Sequence, residues 1–363
     1  MSDNMKIYIN GRFLTQNLTG VQRYAWEMVK AIDEIIEHDY MLKKNEYIVI
    51  TPKNILFVPK LKNINVVHRG YFNGHLWEQL ELPFFTADGF LINFCGGAPI
   101  IKCNQTVTIH DAAVSAMPQS FSCLFRLWYT ILFKIFGRTL EKVFTVSEFS
   151  RNELEKYYGI PKEKIIVTYN GIDHISSIDE DNRILDTNKI RDTDYILAVS
   201  SLNPSKNFGL IIDVAKVLQD KIFVIVGGGN SAVFRKINID VPPNVIFVGH
   251  VTDEELIALY KHAKVFIYPS IYEGFGIPPL EAMVNGCPAI VSDLPVFHEV
   301  YGNWAYYCEC SDVMAWKNTI EAIAKLEKKD YRKSIINKYK WGYFAKKLLN
   351  SLGFSVNSNM LNL

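Results

Sequence analysis

The stretch Glu273-Gly-Phe-Gly-Ile-Pro-Pro-Leu-Glu281 sets two carboxylates, two glycines and two prolines close together. Before it, Lys264–Pro269 reads as a buried parallel strand; after it, Ala282-Met283-Val284 continues a helix. Pro278 and Pro279 suit the first helical turn, where a missing N–H costs nothing. The donors expected at the helix entrance are then the N–H groups of Gly274, Phe275, Gly276 and Ile277. Glycine lets the backbone approach a ligand closely, and a helix N-terminus favours an anion or a polyhydroxyl ligand. Glu273 falls in the loop and Glu281 in the first turn, both at the carboxyl edge of a sheet, where open α/β sheets bind ligands. Taken alone, the pair has a plainer explanation: one solvated loop charge and one partner for the helix dipole. Lys206 follows the strand Tyr195–Val199, and His110 ends the strand Thr106–Ile109, so both lie at the same kind of edge. A packed or capping role is the alternative for His110, and Asp111 reads as a cap.

Short apolar strands alternate with helical patterns along the whole chain. The first series is Lys6–Ile9, Tyr47–Thr51, Ile64–Val67, Gly89–Asn93, Thr106–Ile109, Lys142–Val146 and Ile165–Thr168. The second is Tyr195–Val199, Ile222–Val226, Val245–Val248, Val265–Tyr268, Ala289–Val291 and Ala305–Tyr307. Alternation of this kind means parallel sheets with crossover helices, and two series mean two doubly wound α/β domains. A chain of 363 residues also exceeds what one compact core usually holds. The break falls at the Asn170-Gly171 turn signal, giving domains 1–171 and 172–340. Residues 341–352 read as a helix crossing back toward the first domain, and 353–363 as a frayed tail.

The string Glu-Gly-Phe-Gly-x-Pro-x-Leu-Glu-Ala-Met, followed by Gly286-Cys-Pro288, resembles the E-x7-E signature of family 4 glycosyltransferases. Leu-Asn-Pro-Ser-Lys-Asn at 202–207 and Val-Gly-His-Val-Thr-Asp-Glu-Glu-Leu at 248–256 extend the resemblance. The first half matches more loosely, through Thr19-Gly-Val-Gln-Arg-Tyr24, Ile109-His110-Asp111 and Val146-Ser-Glu-Phe-Ser150. Thr-Gly-Val-x-Arg-Tyr looks like the branch that builds bacterial O-antigens and capsules, often with mannose. The resemblance implies a retaining, metal-independent enzyme of the GT-B fold, two Rossmann-like domains facing a cleft. It needs no cofactor beyond its co-substrate, a nucleotide-diphosphate sugar.

By that resemblance Glu281 would bind the ribose hydroxyls, and Glu273 the donor-sugar hydroxyls with help from the 275–277 N–H groups. Lys206 would neutralise the leaving diphosphate, and His110 would meet the donor sugar or assist the reaction. Gly20 would let the backbone approach the diphosphate; Ser201, Asn207, His250 and Val251 complete the donor-side set. The family often pairs the lysine with an arginine a few residues earlier, where this chain has Ser200-Ser201. Arg12 or Arg23 could supply that charge; otherwise Lys206 and helix N-termini carry it alone. The acceptor would be a saccharide, lipid-linked in surface-polysaccharide synthesis, approaching over the first domain.

Composition agrees with an ordinary globular protein: 49% hydrophobic and 21% charged residues, with a formal net charge of +1. So balanced a charge gives no global field for gathering nucleic acid. The six cysteines show no C-x-x-C or zinc-finger spacing, no apolar leader is evident, and reduced thiols in the cytoplasm are expected. Ser120–Arg138 is rich in aromatics, and its charges, Arg126, Lys134 and Arg138, fall within roughly 120° on a helical wheel. With Phe121, Phe125 and Trp128 they fit an interfacial helix on the inner face of an anionic membrane; a helix packed into the core is the alternative. Gly227-Gly-Gly-Asn-Ser-Ala232 mimics a dinucleotide fingerprint but lacks the closing acidic residue. Asp179-Glu-Asp181 mimics a D-x-D metal motif but sits in a polar loop rather than at a strand end. The rival functions are a nucleotide-sugar epimerase or hydrolase of the same fold, and a non-catalytic nucleotide- or carbohydrate-binding module.

Overall fold

The computed structural model describes residues 5–200, 203–227, 240–327 and 329–356. It divides into two compact units: residues 1–116, 122–171 and 339–363 form the first, and 117–121 with 172–338 the second.

The first unit holds β1 (Lys6–Asn10), β2 (Glu46–Thr51), β3 (Asn65–His68), β4 (Phe90–Asn93), β5 (Gln105–Thr108), β6 (Val143–Thr145) and β7 (Ile165–Val167). They make one parallel sheet in the order β3-β2-β1-β4-β5-β6-β7. The second holds β8 (Tyr195–Val199), β9 (Ile222–Val226), β10 (Val245–Gly249), β11 (Val265–Tyr268), β12 (Ala289–Ser292) and β13 (Tyr306–Cys308). Its sheet, also parallel, runs β10-β9-β8-β11-β12-β13. Each expected strand lies within a residue or two of an observed one. Most of these strands are apolar because helices cover a parallel sheet on both faces. The strand order reverses between β1 and β4 in one sheet and between β8 and β11 in the other. Such switch points leave a crevice at the carboxyl ends of the two strands.

The helix Trp341–Ser351 belongs to the first unit and packs on the helix Gly20–His38. Trp341 meets Tyr24 edge-on at 5.7 Å. A Cβ on Gly171 would come within 2.5 Å of Trp341, so this contact requires glycine. The four described residues of the expected tail, 353–356, include a buried Val356.

Helix Cys123–Thr139 has a divided character. Leu132, Phe133, Phe136 and Gly137 face the core of the first unit. Leu124, Phe125, Leu127 and Ile131 are exposed, with Lys134 and Arg138 exposed at the far end. The expected interfacial face is therefore shifted. Trp128 is half-buried against His75 at 6.0 Å, Arg126 is half-buried, and Phe121 is half-buried in the segment grouped with the second unit. Core packing claims Trp128 because it falls on the helix flank facing His75 and the helix Gly74–Leu76. Among the described residues no helix is long and apolar enough to cross a membrane. All six cysteines are free thiols.

Candidate active site

In the second unit the loops after β8 and β11 meet at the switch point. The Ile271 N–H donates to the Ser205 carbonyl at 2.8 Å, tying the loop that carries Lys206 to the loop that carries Glu273. Asn203 caps the short turn Pro204–Lys206 by accepting from the Ser205 N–H at 3.0 Å. Asn207 follows in the left-handed region (φ +51°), which asparagine tolerates better than most residues, and its Nδ2 donates to the Cys310 carbonyl at 2.9 Å. This fixed turn aims Lys206 at the end of β11. Its Nζ donates to Glu273 Oε1 at 2.5 Å and to the Tyr268 hydroxyl at 2.8 Å, and sits 5.2 Å above the Tyr268 ring. Burial works against the ammonium, but the Glu273 carboxylate and Tyr268 outweigh it and hold the Lys206 pKa well above its ordinary value. Lys206 is therefore a fixed cation at any physiological pH.

The glycine–proline segment then opens the helix Ile277–Val284. Gly276 is its N-cap at φ +86°. The Tyr301 hydroxyl donates to the Gly276 carbonyl at 2.6 Å, and no side chain caps the helix. Because Pro278 and Pro279 have no N–H, the donors at the very start are those of Gly276 and Ile277. Gly274 and Phe275 lie one step back in the loop, both buried. The four expected entrance donors thus divide between the helix start, Gly276 and Ile277, and the loop before it, Gly274 and Phe275. Glu281 is also displaced from expectation. With the helix beginning at Ile277, it lies in the second turn, beyond the reach of a first-turn dipole partner. Its Oε2 accepts from the Tyr260 hydroxyl at 3.0 Å, and His174 Nε2 stands 3.9 Å from Oε1. Tyr260 is buried on the helix Asp253–His262, which a Thr252–Glu255 capping box starts. Glu281 is thus held from behind by a rigid partner.

His250 and Val251 follow β10 directly, His250 exposed and Val251 half-buried. Ser201 lies outside the described residues, as does the dinucleotide-like run beyond Gly227. Asp181 of the D-x-D look-alike accepts from Arg183 Nε at 2.9 Å, so an internal cation satisfies it. Among the described residues no group of three histidines, cysteines or acids could hold a metal ion.

In the first unit, Gly20 opens the helix Gly20–His38 rather than lying in the loop before it; it is exposed, with open space around its α-carbon. Asp111 accepts from the Ala113 N–H at 2.8 Å. Arg12 is corrected as a free phosphate cation. It is buried, and its Nε lies 3.0 Å from Oε1 of Glu78, a carboxylate with 1% exposure. Withdrawing Arg12 would strand that buried charge, an outcome that costs several kcal/mol in comparable sites. Arg23 is mostly covered and stands 3.8 Å from Glu27.

His110 Nε2 lies 2.8 Å from the Phe94 carbonyl, which can only accept, so Nε2 carries the proton and Nδ1 is the acceptor nitrogen. Its ring meets Tyr24 edge-on at 4.9 Å. Burial pushes its pKa down to about 4, the Phe94 hydrogen bond opposing. A neutral imidazole of fixed tautomer can take a hydrogen bond from a hydroxyl at Nδ1, but it is no general acid near neutrality. The same shift carries a stability consequence. Between pH 6.5 and 4 the unfolded chain binds the proton and the folded chain does not, so stability falls as pH drops through that window. The expected loss is on the order of 2 kcal/mol by pH 5. His110→Asn should remove this part of the slope when chemical denaturation is followed at pH 7 and pH 5; an unchanged slope would contradict the assignment.

Sequence reasoning missed Tyr268, Tyr260, His174 and Tyr301. Tyr268 was visible as the last residue of a strand, but its contact with Lys206 spans 62 positions.

Fold and site together set a fixed ammonium and a helix start without a side-chain cap at the switch point of a doubly wound domain, groups suited to an anionic, hydroxyl-rich ligand. Comparison with known proteins gives the class. The family description "Glycosyl transferases group 1" matches residues 179–341, and "Glycosyltransferase Family 4" matches residues 90–175. The O-antigen chain mannosyltransferase RfbU of Salmonella typhimurium is 29% identical over 332 residues, 88% of this chain and 91% of that one. Among solved structures, sucrose-phosphate synthase of Thermosynechococcus elongatus has a TM-score of 0.71 at 16% identity, covering 96% of this chain and 98% of that one. Anabaena HepE in complex with UDP-glucose has a TM-score of 0.69 at 16% identity, covering 96% and 99%. The chain is a glycosyltransferase of the GT-B fold, and its family matches support the family 4 type.

Proposed function

We propose that the enzyme moves a hexose, mannose first, from a nucleotide-diphosphate sugar to a lipid-linked saccharide acceptor, with retention of configuration and without a metal. The observation that carries this reading is the fixed Lys206 ammonium beside the uncapped start of the helix Ile277–Val284. Cation and N–H donors together offer the charge that a departing diphosphate needs. Mannose and the O-antigen setting are supported by the name of the Salmonella relative. UDP-glucose, bound by the Anabaena neighbour, keeps uridine donors in the screen.

Glu281, braced by Tyr260, takes the ribose hydroxyls; Glu273 and the Gly276 and Ile277 N–H groups meet sugar and phosphate. His110 accepts from a sugar hydroxyl through Nδ1. As the bond between the anomeric carbon and the diphosphate oxygen breaks, Lys206 stabilises the departing charge. The acceptor oxygen bonds to that carbon on the same face, and its proton passes to the leaving phosphate oxygen.

A sugar-transfer assay with GDP-mannose, UDP-glucose and dTDP-rhamnose, followed by NMR of the product, tests the reading. One donor should give a product of unchanged anomeric configuration. Inversion, or release of free sugar at full rate without acceptor, would sink it. The exposed Leu124, Leu127 and Ile131, with Lys134 and Arg138 on the same helix, support peripheral attachment to an anionic inner membrane face. Flotation with anionic liposomes should bring the protein up; failure to float removes the membrane part alone.

A further inference from the structure

Two groups assigned above to different halves of the donor are bonded to each other. Lys206 Nζ lies 2.5 Å from Glu273 Oε1, the two side chains being 25% and 13% exposed. A diphosphate needs that ammonium, and sugar hydroxyls need that carboxylate. We infer that Glu273 is a built-in competitor for Lys206, which makes the site favour the intact nucleotide sugar over the free nucleoside diphosphate it leaves behind. The inference rests on the proposed donor site.

The reasoning is electrostatic. When a diphosphate takes Lys206, Glu273 loses its cation in a largely water-excluded place, where an unpaired charge is costly. If the sugar is present, its hydroxyls donate to the freed carboxylate. If it is absent, the carboxylate keeps only the Tyr268 hydroxyl, with neither a cation nor a sugar donor. The pair therefore penalises the product more than the donor and speeds its departure. Lys206 does not need Glu273 to keep its place. The Tyr268 hydroxyl stays 2.8 Å from Nζ, with the ring beneath it. Tyr268 is itself wedged by Phe297 at 5.9 Å, and Phe297 by Tyr301 at 5.1 Å. This aromatic row also ends at the Gly276 carbonyl, so the cation and the helix start rest on one support.

Calorimetric titration of the whole protein with GDP, UDP and dTDP tests this, using the diphosphate that the wild type binds best. Glu273→Gln should bind it about tenfold tighter, one lost competing charge-assisted bond being of that size, while sugar transfer falls at least as much. In a Lys206→Met background the tightening should vanish. Tyr268→Phe, which keeps the ring and loses the oxygen, should bind the diphosphate several-fold more weakly. Unchanged or weaker binding by Glu273→Gln, tightening that persists without Lys206, or no effect of Tyr268→Phe would overturn the inference. If Lys206→Met alone left both diphosphate affinity and transfer intact, the donor-site reading itself would fall. The outcomes are therefore separable.

Discussion

Replacing Lys206 with alanine lowers sugar transfer about a hundred- to a thousandfold, the usual loss when one preorganised oxyanion stabiliser is removed. Among the described residues, the other cations suggested by the sequence are already engaged. Arg12, a sequence candidate for a second phosphate cation, is buried against Glu78, and Arg23 lies beside Glu27. Donor KM should rise far less than the turnover number falls, because diphosphate charge grows as the glycosidic bond breaks. Lys206→Arg should not restore the rate. The site is shaped for a compact ammonium held between Glu273 Oε1 and the Tyr268 hydroxyl, and a planar guanidinium cannot reproduce both contacts. Full rescue by arginine, or a loss confined to KM, would mean that Lys206 contributes binding rather than transition-state stabilisation.

The second large effect is expected at Gly276, through geometry rather than charge. Its φ of +86° disfavours any residue with a Cβ, by roughly 1–2 kcal/mol. A Cβ there would also stand 2.3 Å from the Tyr301 oxygen and 2.9 Å from Phe297 Cε1. Crowding of this kind costs ~1–3 kcal/mol. Gly276→Ala should therefore destabilise the second unit by about 3 kcal/mol, lower its melting point by ~10 °C, and cut transfer a hundredfold or more. Thermal denaturation followed by circular dichroism, with parallel assays, checks both halves. Tyr301→Phe in the same chain removes the oxygen in the way and should return part of the stability but little activity, since the helix start has lost its holding bond. Equal recovery of both would show that the effect was only global.

The fold was largely legible because each strand is a short apolar run with turn signals at its ends, as in β11, Val-Phe-Ile-Tyr, followed by Pro269 and Ser270. Glu273, Lys206 and His110 were legible for a related reason: each follows a strand at its carboxyl end, so identifying the strand located the residue. Partners were not legible. Nothing local marks Tyr260 as the support of Glu281 or Glu78 as the partner of Arg12, because sequence separations of 21 and 66 positions are closed only by packing. Glu281 shifted by one residue, into the second turn, because the two prolines read as the helix start, whereas the helix begins at Ile277 after the left-handed N-cap Gly276. Helix Cys123–Thr139 resisted a single assignment because aromatic residues serve core and interface alike, as buried Phe133 and exposed Phe125 do within one row through Tyr129.

The most direct test of the central claim is calorimetric titration of the intact protein with GDP-mannose, UDP-glucose and dTDP-rhamnose in buffer containing EDTA. One of these should bind with one-to-one stoichiometry, weaken about tenfold or more in Glu281→Gln, and weaken further when Lys206→Met is added. Binding that appears only with added divalent metal, or that ignores both substitutions, would contradict a metal-independent donor site at the β8–β11 switch point.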